Sequence, residues 1–223
     1  MIELYNEDNI RVYVDDDERY SITPTFTWEF LLTDKQNGNG IVNLSKRNAQ
    51  GLTITVKGNT LTLEGIMLSC FIANYRYNIT LKGEVDARVT QEYRGPNVHT
   101  HSLYGSSEIR TDADGLNRHI YILHDNADLQ IEGTGSIDTC EVFAYDDSTL
   151  LTYTGCTAII YDNAEASTTT PDAEIYAYDN STVFSDSEEN IYLFDNARRS
   201  NFWRNRPRVW QILRRYNCWH KES

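Results

Sequence analysis

Tyr161-Asp-Asn-Ala164 returns as Tyr178-Asp-Asn-Ser181, and close relatives of the same phrase stand on either side of the two. Tyr145-Asp-Asp-Ser148 precedes them and Phe194-Asp-Asn-Ala197 follows, so the phrase begins anew at positions 145, 161, 178 and 194. His124-Asp-Asn-Ala127 opens the series, and Gly133-Thr-Gly135-Ser136 lengthens its interval to Tyr145 as a loop insertion would. A period of about 16 residues is too short for helical-pair repeats or propeller blades and suits one coil of a β-solenoid.

The columns of the repeat agree. One residue before the aromatic stand Leu123, Ala144, Ile160, Ala177 and Leu193, and three before it Tyr121, Val142, Ala158, Ile175 and Ile191. Three residues after it stand Ala127, Ser148, Ala164, Ser181 and Ala197, always small. Five after it stand Leu129, Leu150, Ala166 and Val183, with Arg199 closing the pattern. Apolar residues at alternate positions on both sides of the Asp-Asn pair are the mark of half-buried strands. The pair itself supplies a turn, because Asn tolerates the left-handed backbone conformation and both side chains bond nearby backbone groups.

Stacked coils sit about 4.8 Å apart, so each column becomes a ladder. The outward rings are His124, Tyr145, Tyr161, Tyr178 and Phe194, flanked by Ile122, Phe143, Ile159, Tyr176 and Tyr192. Asp125, Asp146, Asp162, Asp179 and Asp195 form an acidic column beside Asn126, Asp147, Asn163, Asn180 and Asn196. Adjacent unit charges at that spacing repel by roughly 1 kcal/mol even in water, so the carboxylates need relief, most simply from turn N–H groups. Cys140 and Cys156 fall at equivalent positions and are expected as neighbouring buried thiols.

Charge is distributed unevenly. The formal charge is −13, yet residues 198–223 carry seven arginines and one lysine against Glu222, a local +7 on a body of −20. Arg204, Arg206, Arg208, Arg214 and Arg215 make this a basic tail. It can lie on the chain's own acidic body or bind nucleic acid. After Pro207, Val209, Trp210, Leu213 and Tyr216 form an apolar stripe, which predicts a short amphipathic helix able to cap the open end of a coil stack.

The first half is β-rich and less regular. Thr62-Leu-Glu-Gly65 and Thr80-Leu-Lys-Gly83 recur 18 apart, with Thr55-Val-Lys-Gly58 a third variant. The expected organisation is a β-rich cap or attachment region over 1–48, then degenerate coils over 49–118. A regular solenoid over 119–198 and the basic capping tail over 199–223 complete it. The fold class is therefore all-β, a β-solenoid with coils of about 16 residues in its second half. The N-terminal sequence lacks a basic, apolar leader and no apolar run approaches the ~18 residues of a membrane span, so a cytoplasmic or virion-associated protein is expected.

Catalytic signatures are missing: there is no phosphate loop, dinucleotide fingerprint, nucleophile elbow or HExxH. His99-Thr-His101 puts two imidazoles on one face of a strand, and His119 and His124 lie five apart, but neither pair has a third ligand at a diagnostic spacing. No catalytic residue, metal site or cofactor is assigned, and a non-enzyme is expected.

Tyr178-Asp-Asn-Ser-Thr-Val183 and its counterparts resemble the short-period β-solenoid repeats of bacteriophage and mobile-element proteins. The resemblance covers about residues 119–198 and implies a structural or partner-binding module. The expected partner is a protein, including a nucleic-acid-binding host protein, with carbohydrate as another class, no membrane, and a homo-oligomer compatible. The expected contact residues are Tyr145, Tyr161, Tyr178, Phe194, Tyr176 and Tyr192 with Asp146, Asp162, Asp179 and Asp195. Two alternatives stand beside it. One is an acidic nucleic-acid mimic inhibiting a host defence nuclease, as anti-CRISPR proteins do; the other is nucleic-acid binding by the basic tail.

Overall fold

The computed structural model describes residues 2–7, 10–14, 28–32, 40–46, 49–57, 60–74, 78–91, 98–113, 118–133, 139–185 and 190–200. Every regular element in them is a strand. The N-terminal strands are β1 (Ile2–Glu7), β2 (Ile10–Val14), β3 (Trp28–Leu32), β4 (Gly40–Lys46) and β5 (Ala49–Lys57). They are joined by antiparallel pairings β1–β2, β2–β3 and β4–β5. β6 (Thr60–Asn74) pairs antiparallel with β5 and parallel with both β3 and β7 (Asn78–Gln91). Thr55-Val-Lys thus meets β6 head to tail, and parallel stacking of coils starts with β6 on β7, where Thr62 faces Thr80 and Gly65 faces Gly83.

From there each coil splits at a corner into two strands. The first strands are β8 (Val98–Gly105), β10 (Arg118–Leu123), β12 (Cys140–Ala144), β14 (Thr157–Ile160), β16 (Glu174–Ala177) and β18 (Ile191–Leu193). The second strands are β9 (Glu108–Ala113), β11 (Asp128–Gly133), β13 (Thr149–Thr152), β15 (Glu165–Thr168), β17 (Thr182–Ser185) and β19 (Arg198–Ser200). Above β7, first strands pair with first strands and second with second, all parallel and one coil apart, giving a β-solenoid of six split coils with two faces among the described residues. β7 seeds both faces, pairing with β8 before Gly83 and with β9 after it.

The core lies between the faces and is built from the columns expected. Leu123, Ala144, Ile160 and Ala177 are buried, as are Tyr121, Val142, Ala158 and Ile175 on the first face and Leu129, Leu150, Ala166 and Val183 on the second. Such parallel stacking puts each apolar side chain on its counterpart, so burial of one coil depends on the presence of the next. The last coil shows the consequence: Leu193 is 41% exposed, whereas Ala177 and Ile160 in the same column are fully buried. The expected helix around 207–216 and its capping role lie outside the described residues, as do Arg204, Arg206, Arg208, Arg214 and Arg215. Among the described residues no helix is long and apolar enough to cross a membrane.

Candidate functional site: the aromatic and aspartate ladders

The corner of each coil is a four-residue turn. The N–H of Ala127, Ser148, Ala164, Ser181 and Ala197 donates to the carbonyl of His124, Tyr145, Tyr161, Tyr178 and Phe194, at 3.0–3.2 Å. The left-handed residue is the aspartate and not the asparagine: φ is 59°, 58°, 56°, 57° and 55° at Asp125, Asp146, Asp162, Asp179 and Asp195. This corrects the expectation that Asn takes that conformation. A positive φ at the second turn position alone is the type II′ pattern, ordinarily served by glycine. The small fourth residue is buried, with Ala127, Ser148, Ala164 and Ser181 all at 0% exposure, because its side chain enters the core at the corner where there is least room.

Aspartate occupies a glycine position because its carboxylate bonds the next coil down. The N–H of Asp125 donates to Asp146 Oδ2 at 3.0 Å, Asp146 to Asp162 at 3.2 Å and Asp162 to Asp179 at 3.3 Å. The carbonyls of Asp125, Asp146, Asp162 and Asp179 in turn accept the N–H of the following coil's amide-column residue, as in Asn163 N to Asp146 O at 3.0 Å and Asn180 N to Asp162 O at 2.9 Å. Backbone N–H groups thus give the acidic column its relief, and a charged acceptor strengthens each bond. His124 Nδ1 lies 3.7 Å from Asp146 Oδ2.

The column starts earlier than the Asp-Asn phrase reveals. Tyr104-Gly-Ser-Ser107 is the corner one coil below His124: Gly105 has φ 73° and its N–H donates to Asp125 Oδ2 at 2.9 Å. Gly83, at φ 97°, and Gly65, at φ 137°, continue it downward. The backbones there approach so closely that a Cβ on Gly83 would meet the Gly65 carbonyl oxygen at 2.4 Å. The only trace of the Tyr104 corner in the sequence is an aromatic followed by glycine and small residues, 20 residues before His124.

All the corner rings form one stack. Centroid separations are 5.1 Å for Tyr104–His124, 5.0 Å for His124–Tyr145, 5.3 Å for Tyr145–Tyr161, 5.2 Å for Tyr161–Tyr178 and 4.6 Å for Tyr178–Phe194, with interplanar angles of 5–15°. Ring faces are therefore turned to one another, and the column presents edges to solvent; only the end rings Tyr104 and Phe194 are open enough to count as exposed. The flanking column of Ile122, Phe143, Ile159 and Tyr176 is half-buried on the outer side of the first face. Tyr176 stacks on Tyr192 at 4.8 Å and donates to Glu174 Oε1 at 2.7 Å, which raises its phenol to about 12. The expected contact residues Tyr145, Tyr161, Tyr178, Phe194, Tyr176, Tyr192, Asp146, Asp162, Asp179 and Asp195 thus all stand on the corner and the face beside it.

The histidines divide differently from their sequence spacing. His99, His101 and His119 all point into the core and stack, with centroids 5.5 Å apart for His99–His119 and 5.6 Å for His101–His119, and His101 Nε2 3.3 Å from His119 Nδ1. Burial, reinforced by His119 and His99, pushes the His101 imidazole well below its usual range. His124 belongs to the outer ring stack and is not part of this group. Among the described residues no set of three or more His, Cys, Asp or Glu side chains is arranged to hold a metal ion. Cys140 and Cys156 are buried free thiols in adjacent coils, and burial drives the Cys156 thiol up to about 12.

On the lower coils an open pocket of about 210 Å³ is lined by Cys70, Asp86, Arg88, Arg110, Asp112 and Glu132, among others. Its lining holds both acids and arginines, and Arg110 Nε donates to the nearby Glu108 at 2.9 Å. Burial and then Asp86 raise Glu108 to about 6. Comparison with protein-family models, with curated proteins and with solved structures finds no match to this chain.

Proposed function

We propose that this protein is a non-catalytic β-solenoid that binds a protein partner through the outer side of its first face. The observation carrying this reading is the half-exposed apolar column Ile122, Phe143, Ile159, Tyr176 and Tyr192 running beside the ring stack. Exposed apolar strips of this extent commonly mark interaction surfaces. The corner aspartates border the strip and would favour a partner with basic groups around an apolar centre. A sugar ligand would need free ring faces, and the corner rings spend theirs on each other, so a protein fits better than a polysaccharide.

The test separates surface from scaffold. Ile159→Lys with Tyr176→Lys alters the strip and leaves the corner stack intact, whereas Tyr145→Ala, Tyr161→Ala and Tyr178→Ala together remove the stack. The proposal expects the lysine pair to abolish partner capture with little change in melting temperature. Undiminished capture by that variant would refute it. The acidic-mimic alternative is read in the same assay with Asp146→Asn, Asp162→Asn and Asp179→Asn, which keep an oxygen acceptor at each corner and remove the charge. Loss of capture in that variant alone, with steep salt dependence in the wild type, would favour the mimic instead.

A further inference from the structure

The lower coils of the second face carry two like-charged pairs side by side. Ala87, Val89, Ile109 and Ile131 point into the core, so Asp86, Arg88, Arg110 and Glu132 alternate outward. Arg88 on β7 lies in register with Arg110 on β9, and Asp112 on β9 with Glu132 on β11. Farther along the arginine column stand Gln130, Leu151, Ser167 and Phe184, all uncharged. The pocket of about 210 Å³ opens where the two pairs meet, and it has room for one amino acid.

Like charges one coil apart, about 4.8 Å, repel, so each pair favours an ion of opposite sign between its members. Arg88 is exposed and has no hydrogen-bond or ion-pair partner among the described residues, while Arg110 is steered by its Nε bond to Glu108. Asp112 is likewise exposed and without a partner, and Glu132 accepts from Gln130 Nε2 at 2.5 Å. Tyr153 continues the acidic column: its N–H donates to the Ile131 carbonyl at 3.0 Å, and the residue is 38% exposed. Burial and then Glu132 push its phenol above the usual range, which sets the ring close to that carboxylate. An aromatic ring beside two carboxylates suits an ammonium or guanidinium group.

We infer that this pocket binds a basic amino acid, free or as the carboxyl-terminal residue of a peptide. Its carboxylate lies on Arg88 and Arg110, and its side-chain cation on Asp112, Glu132 and Tyr153. The midpoints of the two pairs are one coil and two residues apart, roughly 8 Å, close to the reach from carboxylate to side-chain cation in extended lysine or arginine. Asp86, Asp112 and Glu132 against Arg88 and Arg110 leave the lining one negative charge in excess, which a free basic amino acid of net charge +1 complements. A simple anion would meet the three carboxylates, and a metal ion the two arginines, so neither fits as well. The site lies on the other face from the apolar strip and does not depend on the partner proposed there.

The test is an NMR chemical-shift titration of the full chain at low salt with L-lysine, L-arginine and 1,5-diaminopentane, which is lysine without its carboxylate. Saturable shifts at the amides of 86–88, 110–112 and 132 are expected with either amino acid, and roughly tenfold weaker binding with the diamine. Arg88→Gln should weaken lysine about tenfold and leave the diamine unchanged, whereas Asp112→Asn should weaken both. Both side chains are exposed, so each variant should melt like wild type, and a loss of binding is then a loss of the site and not of the fold. No saturable binding of either amino acid, diamine affinity equal to that of lysine, or wild-type affinity in Arg88→Gln would overturn the inference. Nα-acetyl-lysine, which imitates a chain end, decides the source: equal affinity assigns the site to a peptide terminus, and weaker affinity than lysine to the free amino acid.

Discussion

Replacing Asp162 probes the corner most directly, because one side chain there answers two separate demands. Its φ of 56° is a conformation that costs an ordinary L-residue about 1–2 kcal/mol. Its Oδ2 accepts the Asp146 N–H at 3.2 Å in an exposed setting, where water can partly substitute, so that bond contributes about 0.5–1 kcal/mol. Asp162→Ala loses the bond and takes on the strain, for a total near 2 kcal/mol, or a fall of about 4–8 °C in melting temperature for a chain of this size. Asp162→Gly loses the bond and is free of the strain, and should fall about half as far. Asp162→Asn keeps an oxygen acceptor and a residue that tolerates the left-handed region, so it should stay within about 0.5 kcal/mol of wild type. Thermal and urea melts of the three variants give the order Asn, Gly, Ala from most to least stable. Alanine as stable as asparagine, or glycine below alanine, would refute the account of the corner.

Gly83→Ala should be far more damaging than any corner aspartate change, because the new Cβ would lie 2.4 Å from the Gly65 carbonyl oxygen at a φ of 97°; a melt within a degree or two of wild type would contradict the close approach. Glu108 is raised from 4.5 to about 6 in the folded chain. The stability this group contributes is fully present below pH 4.5 and lost as pH climbs through about 6, so Glu108→Gln should gain up to roughly 2 kcal/mol at pH 7.5 and nothing at pH 4. His101 shifts the opposite way: its stability is present above pH 6.5 and lost as pH falls below it, by up to about 1.4 kcal/mol per pH unit. His101→Phe, which fits a stack containing Tyr121, should flatten melting temperature against pH between 7 and 5; an unchanged slope would show that other groups govern the acid limb.

Much of this architecture is legible in the linear chain because a solenoid converts sequence period directly into spatial adjacency. Tyr145, Tyr161 and Tyr178 stack because their spacing matches one circuit of the coil, and the same arithmetic brings Cys140 beside Cys156. Where the phrase decays, the reading weakens although the geometry does not: Tyr104-Gly-Ser-Ser makes the same corner without aspartate, since glycine meets the φ requirement unaided. The trio His99, His101 and His119 is equally hard to foresee. Only an interval of 20 residues between the corners at Tyr104 and His124 places His119 over His99, and insertions make that interval irregular.

The order of residues alone determined that the chain coils, which side chains line the coil's interior, and that rings and carboxylates form rows, because each follows from a period and an alternation. Three-dimensional packing decided the rest. It chose aspartate as the left-handed residue, since the choice depends on an N–H supplied by a different coil. It turned the ring faces inward along the stack, and it left the outward Leu151, Ser167 and Phe184 of the second face buried while the outer side of the first stays half-open. These outcomes involve groups separated by a coil or more, and the local sequence carries no record of the partner that each will meet.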